Sequence, residues 1–128
     1  ELVKKLSINN LNYILSYQSR VGPLKWIGPS TDTVIKKEAQ KQKILIVVPV
    51  AFVSEHSETL VELDIEYKKL AVENGSKDYI RVPAVTANQD FINSLKSSIL
   101  EASSGAIFTS SVTCPDKFKK CPRLKNAH

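Results

Sequence analysis

Apolar residues along this chain fall into two kinds of run. In "NYILSYQ" (12–18), "KILIVVPV" (43–50) and "YIRVPAV" (79–85) they are contiguous or alternating and rich in β-branched and aromatic types, which predicts strands. Between these runs they recur every three or four residues, which predicts amphipathic helices. Such stretches are "STDTVIKKEAQKQ" (30–42), the segment from Glu55 through "YKKLAVENG" to Gly75, and "NQDFINSLKSSILEA" (88–102). The end signals agree. Ser30 or Thr31 suits an N-cap with Asp32 in the first turn, Asn88 suits another N-cap, and Gly75 suits the position just past a helix. "ELVKKLSI" (1–8) reads as the end of a preceding helix. Strand and helix therefore alternate with short links, which predicts βαβ units, a parallel sheet and an α/β fold. "KILIVVPV" is the kind of run that a parallel sheet buries on both faces. Three strands make a thin sheet, so an N-terminal portion is expected ahead of residue 1.

Composition adds bounds. The chain has 128 residues, 42% hydrophobic and 24% charged, which suits one ordinary globular domain with a core. Its longest apolar run, Ile44 to Val53, is broken only by Pro49 and is too short for a membrane span. "ELVKKLSINN" has no apolar stretch or small-residue cleavage site of a secretory signal. The net charge of +5 is uneven: Lys117, Lys119, Lys120, Arg123 and Lys125 crowd the end, against Asp116 alone. We therefore divide the chain into a domain over 1–105 and a basic tail over 106–128. A solvated terminus is the ordinary reading of such a tail, and an anionic surface is the sharper one. No aromatic interleaving or nucleic-acid motif accompanies it, so no nucleic-acid partner is expected. Cys114 and Cys121 lie in the tail. Their C-x6-C spacing is no zinc signature and leaves free thiols, a disulfide or part of a larger metal site open.

The segment "AFVSEHSETLVELDIEY" (51–67) holds Glu55, Glu58, Glu62, Asp64 and Glu66. On an α-helical wheel the four glutamates fall within roughly 80° of one another, with Asp64 on the opposite side. Leu60, Leu63, Tyr67 and Leu70 form a neighbouring apolar stripe. Like charges stacked at i, i+4 destabilise a helix modestly, so solvent, a cation or bound protons must offset them. Glu55 and Glu58 follow an apolar strand, at whose carboxyl end α/β sheets bind ligands. His56 stands beside them, as a local hydrogen-bonding residue or as part of a site. A second unusual stretch, "SYQSRVGPLKWIGPSTD" (16–32), brackets Trp26 between Gly22-Pro23 and Gly28-Pro29. Trp26 there either caps the core or stacks on a flat ligand. Gln18, Ser19 and Arg20 offer contacts suited to a carboxylate.

Together these stretches resemble the ferrochelatase family. "SYQSRVGPLKW.GPSTD" is similar to that family's Q-S-[KR]-V-G-P-x-x-W-L-x-P-x-T motif, and "VPVAFVSEHSETLVELDIEY" to its "VPIAFxSxHxETLxELDIEY" signature. "RVPAV…FINSL" resembles its "R-x-P-[AS]-L-N…F" ending, and "CPDKFKKC" the tail of some proteobacterial members. The resemblance implies an incomplete C-terminal portion of a two-domain enzyme with a Rossmann-like (class II chelatase), three-layer α/β/α fold and a parallel sheet. It implies a lyase that inserts Fe²⁺ into protoporphyrin IX, the last step of heme synthesis, releasing two protons. Protoporphyrin IX and ferrous iron are then its partners, and the missing N-terminal domain carries the family's porphyrin-facing histidine. The isolated segment is expected to be inactive. An inactive porphyrin- or heme-binding module is the alternative, and a short homodimeric chelatase a third reading.

Carried over residue by residue, the resemblance makes Glu58 the catalytic glutamate, with His56 and Glu62 beside it. Glu58 and Glu55 become candidate Fe²⁺ ligands along a relay of carboxylates. Gln18, Ser19, Arg20 and Trp26 become porphyrin contacts. Some family members hold a [2Fe–2S] cluster through three tail cysteines and one upstream. Cys114 and Cys121 are two thiols where such a cluster wants four, so no cluster is expected and Fe²⁺ enters as substrate. The implied location is cytoplasmic, of the bacterial type, with peripheral contact at the inner membrane or a mitochondrial setting as alternatives.

Overall fold

In chain order the structure, a computed structural model, runs α1 (Leu2–Leu6), α2 (Thr31–Ala39), β1 (Ile44–Val47), then a π-helical stretch (Glu58–Glu66). That stretch continues directly as α3 (Tyr67–Glu73), followed by β2 (Asp78–Arg81) and α4 (Gln89–Ser103). It describes residues 2–19, 22–23 and 27–104. Two units are distinguished, Glu1–Thr86 and Ala87–His128. Among the described residues no helix is long and apolar enough to cross a membrane.

In the first unit β1 and β2 pair in parallel, with Ile44 opposite Asp78 and Val47 opposite Arg81. The helical segment between them makes the crossover, which is the βαβ unit predicted from the alternation of patterns. Helices α2 and α3 pack on each other, α2 against β1 and α3 against β2. Ile35, Ala71 and Tyr79 are buried at their junction, with Leu45, Val47, Tyr67 and Leu70 packed around them. The α2 residues Thr31, Ile35, Glu38 and Ala39 are buried at helical spacing, so one side of the predicted helix faces the core.

The ends of the helices follow their sequence signals. Ser30 occupies the N-cap of α2, although its hydroxyl pairs with the Thr33 hydroxyl at 2.8 Å. After α3 the chain turns through Gly75 at φ +93°. The Gly75 N–H donates to the Val72 carbonyl at 3.0 Å and the Ser76 N–H to Ala71 at 3.0 Å, a Schellman closure. In the second unit the Asn88 side-chain Oδ1 caps α4, accepting from the N–H groups of Asp90 at 3.0 Å and Phe91 at 3.2 Å.

Three expectations change. "NYILSYQ" does not form a strand; only a parallel bridge, Tyr17 to Ser30, marks it. Tyr13, Ile14 and Leu15 stay exposed. Among the described residues no strand lies alongside to offer a ladder, and a strand without one has nothing to stabilise it. The sheet therefore has two strands where three were expected. Along β1 exposed and half-buried residues alternate, because helices cover one face: Leu45 and Val47 meet the core while Ile44 and Ile46 do not. Finally, the acidic helix takes π register over Glu58–Glu66 and leaves Glu55 outside it.

Candidate functional site

Pro49 interrupts the apolar run just past β1, and the chain turns, with the Val50 N–H on the Val48 carbonyl at 2.9 Å and the Phe52 N–H on Pro49 at 3.1 Å. His56 then starts the helix with its backbone. Its N–H donates to the Thr59 hydroxyl at 2.9 Å, and that hydroxyl donates back to the His56 carbonyl at 3.0 Å. The pairing satisfies Thr59, which is fully buried, as buried polar groups require. The His56 Nδ1 accepts from the Glu58 N–H at 3.2 Å, and its ring lies tilted against Phe52 with centroids 4.9 Å apart. His56 thus places Glu58 through main chain and ring together.

From this start Glu58, Glu62 and Glu66, with Ser57 and Val61, line an open hollow of about 390 Å³. The Tyr67 N–H donates to the Glu62 carbonyl five residues earlier, the π-type bond. A turn closed by i→i+5 bonds carries more residues than an α turn, so glutamates spaced by four stack along one side. The segment before α2 reaches the same side. The Ser19 hydroxyl, on a residue with φ +64°, donates to Glu58 Oε1. Gln18 Nε2 donates to the Tyr67 hydroxyl at 3.2 Å, which donates to Glu62 Oε1 at 3.1 Å. Burial first, and the neighbouring Glu62 charge with it, pushes the Tyr67 phenol up to about 12, so it remains a donor. Four of the sequence-predicted residues, Gln18, Ser19, Glu58 and Glu62, are thereby brought together. Arg20, Trp26, Cys114, Cys121 and the tail over 106–128 lie outside the described residues.

Glu55 departs from its place on the wheel. It precedes the helix and meets Arg81, whose Nη1 donates to its two oxygens at 2.8 and 3.0 Å. The Ala84 N–H donates to Glu55 Oε1 at 2.8 Å. With the Thr59 hydroxyl, the Arg81 guanidinium and the Ala84 N–H around it, the Glu55 carboxyl is pulled down to about 2. Asp64, expected on the far side of the wheel, shares the same cation. Arg81 Nε and Nη2 donate to its oxygens at 2.6 and 2.7 Å, a bidentate pair. Arg81 lowers the Asp64 carboxyl, and Asp64 first, then Glu55, hold the guanidinium charged. Among the described residues no three His, Cys, Asp or Glu side chains converge to hold a metal ion. What the row offers is a line of carboxylates open to solvent, able to accept protons or to meet a hard cation one or two oxygens at a time.

Sequence reasoning missed Tyr67 and Arg81 as parts of this arrangement. Tyr67 belongs to the apolar stripe by spacing, and its ring does pack against the core; the phenol tip, which seeks a partner when buried, is the signal that points to Gln18 and Glu62. Arg81 stands in the sequence as part of an apolar strand and as the first residue of the "RVPAV" motif, with no partner indicated. A cation at the end of such a strand calls for carboxylates, and the acidic segment was the obvious supply.

A family model described as Ferrochelatase matches residues 1–103. The ferrochelatase of Pelagibacter ubique is 53% identical over 128 residues, covering 97% of this chain and 37% of that protein. The ferrochelatase of Rickettsia conorii is 45% identical, covering 94% of this chain and 36% of its own length. That of Rickettsia canadensis is also 45% identical, covering 98% and 38%. The chain thus spans little more than a third of the length of the curated relatives it matches.

Proposed function

Since the chain belongs to the ferrochelatase family, we propose that it supplies the glutamate row at which Fe²⁺ is inserted into protoporphyrin IX. The insertion forms iron–nitrogen bonds and releases the two pyrrole N–H protons. Glu58 is the group nearest the reaction, taking a proton or touching the metal. Glu62 and Glu66 continue the path along the hollow. Gln18 and Ser19 orient the row and, with Arg20 and Trp26, meet the porphyrin. The opposite face of the macrocycle is met by parts of the longer protein that lie outside this chain.

One observation carries the reading. Two separately recognised motifs, residues 16–32 and 48–67, converge through Ser19 on Glu58 and through Gln18 and Tyr67 on Glu62. They do so beside a hollow lined by Glu58, Glu62 and Glu66. A carboxylate in a row can pass a proton to a neighbour or to water, and a row with an open side can receive a hydrated dication stepwise.

The test replaces the matching third of the Pelagibacter ubique ferrochelatase with this chain and follows metallation by loss of porphyrin fluorescence. The exchanged enzyme is expected to turn over. Glu58→Gln in it should lower turnover by about 10²-fold or more while porphyrin still binds. Near-normal turnover of that variant removes Glu58 from the reaction.

A further inference from the structure

We infer that Arg81 is a positioning residue for the glutamate row, tying the lead-in segment at Glu55 to the π-helical stretch at Asp64 and so fixing Glu58 between them. The inference rests on the function proposed above. The Arg81 side chain is 7% exposed, and its donors are shared between two carboxylates. Nε and Nη2 hold Asp64 at 2.6 and 2.7 Å, and Nη1 holds Glu55 at 2.8 and 3.0 Å. The Ala84 N–H adds a third anchor by donating to Glu55 at 2.8 Å. One guanidinium at the end of β2 therefore joins the segment entering the helix to the helix itself, and the Ala84 N–H ties the segment leaving the sheet to the same Glu55 carboxylate.

Neither Glu55 nor Asp64 lines the hollow; Ser57, Glu58, Val61, Glu62 and Glu66 do. The clamp stands apart from the row's open side and acts on it through position alone. It also assigns the acids of this segment to two tasks. Glu55 and Asp64 serve the cation, and Glu58, Glu62 and Glu66 are left for the hollow. A lysine cannot do the same, because a single ammonium lacks the planar fork that grips one carboxylate in two places while reaching another.

The exchanged ferrochelatase described above carries the first test. Arg81→Met is expected to lower kcat by about 10²-fold, since displacement of about 1 Å suffices for that, with the porphyrin KM unchanged and Arg81→Lys restoring only part of the loss. Glu55→Gln and Asp64→Asn should each lower kcat, and the two together should lose no more than Arg81→Met, as members of one network do. They decide the matter if Arg81→Met does not fold. An unchanged kcat, a rise in porphyrin KM alone, or losses from Glu55→Gln and Asp64→Asn that multiply independently would overturn the clamp. Amide hydrogen exchange of this chain gives a reading free of activity: the Arg81 variants should speed exchange from Glu58 to Leu63. Unchanged exchange there also overturns the clamp. Near-normal turnover of Glu58→Gln, with exchange still accelerated by Arg81→Met, overturns only the proposed function.

Discussion

Tyr79 connects the core to the acidic row through one hydroxyl. Its O–H donates to the Leu63 carbonyl at 2.8 Å, and the two residues are 4% and 2% exposed. Burial, with the nearby Asp64 charge adding to it, pushes the phenol up to about 12, so the donor persists at any working pH. Tyr79→Phe keeps the ring in place and strands a buried carbonyl, at a cost of about 1–3 kcal/mol. Leu63→Ala removes the side chain beside it, at a cost of about 2–5 kcal/mol. Urea unfolding is expected to show each loss on its own, because the hydroxyl of Tyr79 meets the Leu63 backbone and Leu63→Ala leaves that carbonyl in place. At this scale residue types were readable in the sequence and partnerships were not. The glutamates were visible as a row. Which of them stays open and which is spent on a cation depends on Arg81, some 26 positions from Glu55 in sequence and 2.8 Å away in space.

Elements held local signals that survived folding and others that did not. The Schellman closure after α3 needs a residue at φ +93°, where Gly75 sits. An added Cβ would meet only the Ala39 carbonyl at 3.7 Å, an ordinary contact, so the backbone and not crowding sets the cost. Gly75→Ala should destabilise by about 1–2 kcal/mol, measurable as a lower midpoint with unchanged slope in urea. Helices α2 and α4 and the crossover were legible because a period of three or four residues and a capping side chain are properties of a short stretch. The expected strand over 12–18 was not, because strand formation requires a neighbour that no short stretch encodes. The π register of Glu58–Glu66 was hidden for a related reason. Glutamates four apart share a side in either helix, so the pattern that exposed the row could not distinguish the two windings.

For the molecule as a whole, carboxylates held low by partners make stability depend on acid. Glu55 is drawn from 4.5 to about 2. Asp64 is lowered chiefly by Arg81, Glu38 by Lys41 and Asp32 by the Ser30 hydroxyl. Each binds its proton more weakly folded than unfolded, so folding gains from these groups above their ordinary values and loses that gain as pH falls through 4.5 towards 2. Urea midpoints should therefore hold steady from pH 7 to about 5 and decline below it. Arg81→Met should flatten the decline by removing the main partner of Asp64 and one of the chief partners of Glu55. The α/β class was legible at this scale and the covering of the sheet was not, since burial on both faces was expected and, among the described residues, Ile44, Ile46 and Ile80 on one face stay exposed. The edges of this sheet bear on how the chain behaves in a test tube. Among the described residues β1 and β2 have one neighbour each, and their outer edges offer backbone donors and acceptors to any strand of suitable length. Ile44, Ile46 and Ile80, at 56%, 63% and 46% exposure, add apolar surface on the face between them. Open edges of this kind favour strand addition between copies, so light scattering by the isolated chain is expected to rise with its concentration.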